Sequence, residues 1–101
     1  MSARPRLAPA DRVTLARHAR LRFDSVRGRW VLLVPERVMV PDETCTEILQ
    51  LCDGDRSIEA IAATLSEKYT ADEGVIRRDV IDLLQGLADK GFLRPMAGPP
   101  A

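Results

Sequence analysis

The sequence predicts an α+β domain of winged helix-turn-helix type: a three-stranded antiparallel sheet followed by a three-helix bundle, in the order β-β-β-α-α-α. Three observations predict it. Residues 19–34 first alternate and then become continuously apolar, as the two strands of a hairpin do. From residue 42 onward, apolar side chains recur at helical spacing in three blocks. Short turn signals, not long linkers, divide the blocks. With 101 residues, 46% of them hydrophobic and 30% charged, the chain suffices for one core and not for two.

Taken in order, residues 1–10 carry two prolines and no periodicity, and are expected to form a flexible arm. A single domain is expected over residues 11–94, and the Pro-rich residues 95–101 are expected as a flexible tail. Residues 19–26 place Leu21, Phe23 and Ser25 on one face, and Arg20, Arg22 and Asp24 on the other. Arg27 and Gly28 signal a turn. Residues 29–34 (RWVLLV) read as a partner strand buried on more of its surface. Pro35 breaks it, and Arg37, Val38, Met39 and Val40 make a third short strand before Pro41.

Asp42 is the expected N-cap of the first helix, on which Cys45, Ile48, Leu49 and Cys52 form one stripe. Gly54 is placed to close it in the left-handed conformation, within a tight turn over residues 53–57. Ser57 caps the second helix, whose stripe is Ile58, Ile61, Ala62, Leu65 and Tyr69. After a break at Thr70 and Ala71, with Asp72 or Thr70 as cap, the last helix runs to Lys90 and stops at Gly91. Phe92 and Leu93 follow as a short extended tail.

Composition excludes several function classes. No apolar run approaches the roughly 18–20 residues that span a bilayer. Arginines open the chain with no apolar stretch behind them, so a secretory signal is not expected and the cytoplasm is. Cys45 and Cys52 stand seven apart on one helix, about 10 Å at roughly 1.5 Å per residue, beyond disulfide reach. With the single histidine His18 and no CxxC spacing, neither metal nor cofactor is expected. Ser57 and Thr44 open helices, where capping explains them. Asp42 with Glu43, and Asp72 with Glu73, likewise suit the positive end of a helix dipole. No nucleophile has a base beside it, and no glycine-rich phosphate loop is present, so an enzyme is not expected.

Charge is segregated. Residues 1–37 hold nine Arg against three acids, a balance of +6, and residues 38–101 hold six basic against twelve acidic residues, a balance of −6. Two features remain as candidate binding elements. The third strand is expected at a sheet edge, where unpaired backbone groups can receive an extended peptide. The last helix carries a mixed flank of Arg77, Arg78, Ile81 and Ala88, with Leu84 below. Side by side, the two would form an apolar groove rimmed by arginines. Whether Val38 and Val40 or Met39 would face it is left open, because a one-residue slip exchanges the two faces.

The segment LLVPERVMVPDETCTEILQLCDGDRSIEAIAATLSEKY, followed by RRDVIDLLQGLADKGFL, resembles the PqqD family of pyrroloquinoline quinone (PQQ) biosynthesis. The resemblance covers residues 7–94. Its most specific pieces are Leu32, Leu33, Val34, Pro35 and Glu36; the Ile48 to Gly54 segment with Ile58 and Ile61; and the helix end from Asp79 to Gly91. Val34, Arg37, Val40 and Pro41 depart from the family's usual residues, all at or beside the third strand.

The resemblance implies a non-catalytic peptide chaperone. Such a domain binds the ribosomally made precursor peptide PqqA as an added strand beside the third strand and against the last helix. It presents that peptide to PqqE, a radical S-adenosylmethionine enzyme that cross-links a Glu and a Tyr. The peptide-binding residues expected here are then Arg37, Val38, Met39, Val40, Arg77, Arg78, Ile81 and Leu84. A monomer is expected, with exchange of the hairpin between chains as a route to a dimer. The main rival is a winged-helix DNA-binding transcriptional regulator, since fold does not fix function. Against it, residues 57–69 offer only Lys68 beside Glu59 and Glu67, although the hairpin is rich in arginine. An adaptor that docks an enzyme without a peptide groove is a further alternative, as is a domain fused elsewhere to the modifying enzyme.

Overall fold

The computed structural model describes residues 6–96. Their elements, in order, are β1 (Arg12–Leu15), β2 (Arg20–Asp24), β3 (Arg29–Val34), β4 (Arg37–Met39), α1 (Glu43–Leu51), β5 (Asp53–Ser57), α2 (Ile58–Tyr69), α3 (Glu73–Asp89) and β6 (Leu93–Pro95). The three strands and three helices expected from the sequence are present, and the fold is α+β. Strands β2, β3 and β4 form one antiparallel sheet in that order.

Each helix starts on the cap that its sequence offers. The side chains of Asp42, Ser57 and Asp72 accept from the amides of Cys45, Ala60 and Val75 at 2.7, 3.1 and 3.0 Å. Helix α2 ends at Thr70, which takes the left-handed conformation at φ 51°. Helix α3 ends in a Schellman arrangement: Gly91 sits at φ 81°, and Phe92 N–H and Gly91 N–H donate to the carbonyls of Leu87 and Ala88.

Three elements correct the sequence reading. Residues 53–57, expected as a tight turn between two helices, are a strand, and residues 12–15 and 93–95 are strands as well. Together they form a second antiparallel sheet, β5-β1-β6. Gly54 does take a positive φ of 85°, but inside β5, while Cys52 caps α1. Arg12 faces Ser57 and Thr14 faces Asp53, so β5 advances four residues while β1 advances two. The surplus is absorbed by a turn within the strand: Asp53 Oδ1 accepts from the amides of Asp55 and Arg56 at 2.9 and 3.1 Å. The local signals for a turn were therefore correct, and the pairing partner forty residues away was not visible in them.

Of the arm expected over residues 1–10, residues 1–5 lie outside the described residues. The rest is docked. Leu7 is buried in the core, and its N–H donates to Gln85 Oε1 at 2.8 Å. The carbonyls of Pro9 and Asp11 accept from Glu59 and Ile58, satisfying two amides at the start of α2. At the other end, Pro95 pairs with Val13, and Met96 N–H donates to Arg12 O at 2.8 Å. Residues 97–101, in the expected tail, lie outside the described residues. One core joins both sheets and all three helices, with Val13, Ile58, Ile61 and Leu84 fully enclosed. No described helix is long and apolar enough to cross a membrane.

Candidate functional site

Strand β4 exists because Pro35 and Glu36 turn the chain straight back on β3. Proline fixes the first turn position, and Glu36 takes φ 69° at the second, where glycine is the easy residue. Val34 then faces Arg37, Leu33 faces Val38, and Leu32 faces Met39. Among the described residues, β4 pairs with β3 alone, so its other edge carries no strand. Pro41 and the cap Asp42 end the strand after three residues. A short edge strand closed by a proline suits an edge that must stay open without inviting aggregation.

The register fixes the face of each side chain. Leu32 and Val34 are buried in the core, so their partners Met39 and Arg37 lie on the core side of the sheet. Met39 is half-buried against the core. The Arg37 guanidinium stacks over the ring of Phe92, 5.8 Å from its centroid, just past the end of α3. Val38 points to the opposite, outer face and is 59% exposed. Val40, 53% exposed, lines an outer cleft together with Val31, Leu33 and Val38. The face question left open by the sequence is thus resolved: Met39 looks toward the helices, and Val38 and Val40 look away.

The helix residues divide as well. Ile81 is half-buried against the same core that Met39 packs on. Leu84 is fully enclosed and offers no surface to a ligand. Arg77 is half-buried and Arg78 exposed, and neither is ion-paired among the described residues. The structure therefore places Arg37 and Met39 on the core side of the sheet, with Arg37 over Phe92, and turns Val38 and Val40 away from them; Arg77, Arg78, Ile81 and Leu84 lie on α3, whose main contacts are with α2 and β6. Phe92 is a member of this side that the sequence reading passed over. The signal was present in Gly91-Phe92, because a residue after a helix-ending glycine commonly packs back on the helix.

Elsewhere the structure supplies packing chemistry. Burial, then Asp53 and Cys45, push the Cys52 thiol up to about 12, and Cys52 Sγ donates to Ile48 O at 3.3 Å. Burial and then Asp42 raise the Cys45 thiol. Both cysteines are free and neither is an activated nucleophile. Glu47 on α1 accepts from Lys68 and from the Tyr69 hydroxyl on α2, which hold its carboxyl below its ordinary value. An apolar recess of about 190 Å³ lies between α1, α2 and α3, lined by Ile48, Leu65, Ile76 and Val80 among others. Nothing in the sequence reading anticipated it.

An α+β domain with a winged-helix arrangement and a three-residue strand at a sheet edge defines the fold class. Comparison with known proteins gives the family. Residues 29–93 match the model for coenzyme PQQ synthesis protein D (PqqD). The PqqA binding protein of Rhodopseudomonas palustris strain BisB5 is 59% identical over 87 residues, covering 86% of this chain and 85% of that one. Two solved structures share the fold. The PqqD truncation of Methylobacterium extorquens PqqCD, described as a functional, stand-alone recognition element for ribosomally synthesized and post-translationally modified peptides, is 40% identical with a TM-score of 0.74. It covers 87% of this chain and 94% of its own. PqqD from Xanthomonas campestris is 41% identical with a TM-score of 0.55, covering 80% and 90%. The chain belongs to the PqqD family.

Proposed function

We propose that the chain is a non-catalytic, cytoplasmic peptide chaperone of PQQ biosynthesis. It binds the precursor peptide PqqA as a strand added to the free edge of β4 and presents it to PqqE for Glu–Tyr cross-linking. The observation that carries this reading is the unpaired edge of β4 in a family whose relatives bear the name PqqA binding protein. Main-chain hydrogen bonds along residues 37–40 supply affinity that tolerates sequence, and alternate side chains of the peptide supply specificity. Every second peptide residue would point to the side of Met39, Ile81 and Phe92. Arg77 and Arg78 favour acidic residues of the precursor.

The regulator reading weakens on one contact. Lys68, the single cation of α2, is paired with Glu47, so α2 offers a phosphate less positive charge than a free lysine would.

Titration of isotope-labelled chain with synthetic PqqA, followed by amide NMR shifts, tests the proposal. Saturable shifts centred on residues 37–40 and 77–84 are expected. Ile81→Asp is expected to abolish them while the spectrum stays that of a folded protein. Absence of shifts at near-millimolar peptide, or full binding by a folded Ile81→Asp, overturns it.

A further inference from the structure

The three helices do not close completely on one another. Ile48 of α1, Leu65 of α2 and Ile76, Val80 and Leu83 of α3 line a recess of about 190 Å³ where they meet. The α3 residues fall at i, i+4 and i+7, so one helix face supplies them all. Ile48, Leu65 and Val80 are buried, and Ile76 and Leu83 are half-buried around them. An apolar cavity of about 150 Å³ holds one benzene ring. The recess therefore has room for a single ring and not for two. Tyr69 also lines it, with a ring that is half exposed and a hydroxyl held by Glu47. That ring offers an aromatic surface for edge-to-face or offset packing.

The polar part of the lining is acidic. Asp79 stands one position before Val80, lines the recess and is exposed, and it has no ion pair among the described residues. Cations are absent from the lining. Lys68 stands over the Tyr69 ring, but Glu47 neutralises it. Arg77 and Arg78 precede Asp79 on α3 and do not line the recess. The half of the chain that holds all three helices carries a balance of −6 over residues 38–101. A well for one ring with an unpaired carboxylate beside it matches a ligand with the same two parts, an aromatic ring and a positive charge. An aromatic acid would be repelled by Asp79, and a neutral hydrocarbon would leave it unused.

We propose that the recess between α1, α2 and α3 is a binding site for a small single-ring arylalkylamine in its ammonium form. The ring lies among Ile48, Leu65 and Val80, and the ammonium lies at Asp79. The site is separate from strand addition, since no residue of β4 lines it.

Titration of the isotope-labelled chain with phenethylamine, and with its neutral isostere phenethyl alcohol, tests the site through amide NMR shifts. Saturable shifts are expected on residues 44–48, 65–69 and 76–83, in roughly the millimolar range for ligands this small. The amine should bind about two- to fivefold more tightly than the alcohol, the worth of one exposed ion pair. Asp79→Asn, at an exposed position, should lower the amine to the affinity of the alcohol and leave the alcohol unchanged. Absence of saturable shifts from both ligands overturns the site. Equal binding of the two by the parent chain overturns the role of Asp79, as does an amine preference that persists in Asp79→Asn. Displacement of the amine by synthetic PqqA, with PqqA shifting the same recess amides, assigns the recess to the peptide and also overturns the proposal. A chain that binds PqqA and not the amine loses the recess site and keeps strand addition, whereas one that binds the amine and not PqqA keeps the recess and loses strand addition.

Discussion

The two three-stranded sheets are built from similar local chemistry and do opposite jobs. Each contains an aspartate that organises a turn by accepting two backbone amides. Asp24 Oδ1 accepts from Val26 and Arg27 in the β2–β3 loop, and Asp53 Oδ1 accepts from Asp55 and Arg56 within β5. Each aspartate also pairs with the arginine three residues on. The difference lies in the partners. The β5-β1-β6 sheet gathers both ends of the described chain and the segment between α1 and α2, and its central strand carries the fully enclosed Val13. The β2-β3-β4 sheet is two consecutive hairpins; each sheet has two edge strands, and among the described residues those of this one are β2 and β4. Sequence-distant strands tie the ends of the described chain to the core, whereas sequence-local hairpins leave one sheet face exposed at low cost to it.

That contrast can be broken most sharply with one substitution in each sheet. Val13→Asp places an unpaired charge in the buried central strand of β5-β1-β6 and should cost several kcal/mol, enough to unfold a domain whose whole stability is of order 5–15 kcal/mol. Val38→Asp, on the exposed outer face, should change stability by less than about 0.5 kcal/mol. Urea denaturation followed by circular dichroism reads both. Similar losses in the two would remove the distinction between a structural and an open sheet.

A middle-sized effect comes from the paired aspartates. Asp24→Ala and Asp53→Ala should each cost about 1 kcal/mol through the lost amide acceptors. The Asp53 contribution should depend on pH. The amides of Asp55 and Arg56 hold the Asp53 carboxyl below its ordinary value of 3.8. Its contribution is therefore complete above that value and is lost as pH falls through the lower folded value. Asp53→Ala should flatten the acid side of the stability profile, measured as Tm between pH 6 and pH 2. An unchanged acid limb would show that the Asp53 turn does not hold β5.

The smallest effect sharpens the open sheet. Glu36 at φ 69° holds the β3–β4 turn in a region that glycine enters freely. Glu36→Gly should stabilise the chain by about 0.5–1 kcal/mol by relieving the side-chain clash of the left-handed region. Thermal unfolding checks it, and a drop in Tm would mean that the strain is absent or that Glu36 makes a compensating contact.

By itself, the sequence determined every feature that depends on near neighbours. The caps Asp42, Ser57 and Asp72, the stop at Gly91, the two hairpins and the helical stripes all follow from side chains acting within about four residues of themselves. It also supplied the edge strand β4. Two things were decided only by tertiary structure. The β5-β1-β6 sheet joins residues 12–15, 53–57 and 93–95, and no local pattern encodes which distant strand will pair with a four-residue segment such as RVTL. The orientation of β4 was hidden for a different reason. Its partner β3 is apolar on both faces, Leu32 and Val34 on one and Val31 and Leu33 on the other, so the period-two signal that assigns faces is absent. Only packing Leu32 and Val34 into the core turned Met39 inward and left Val38 outside.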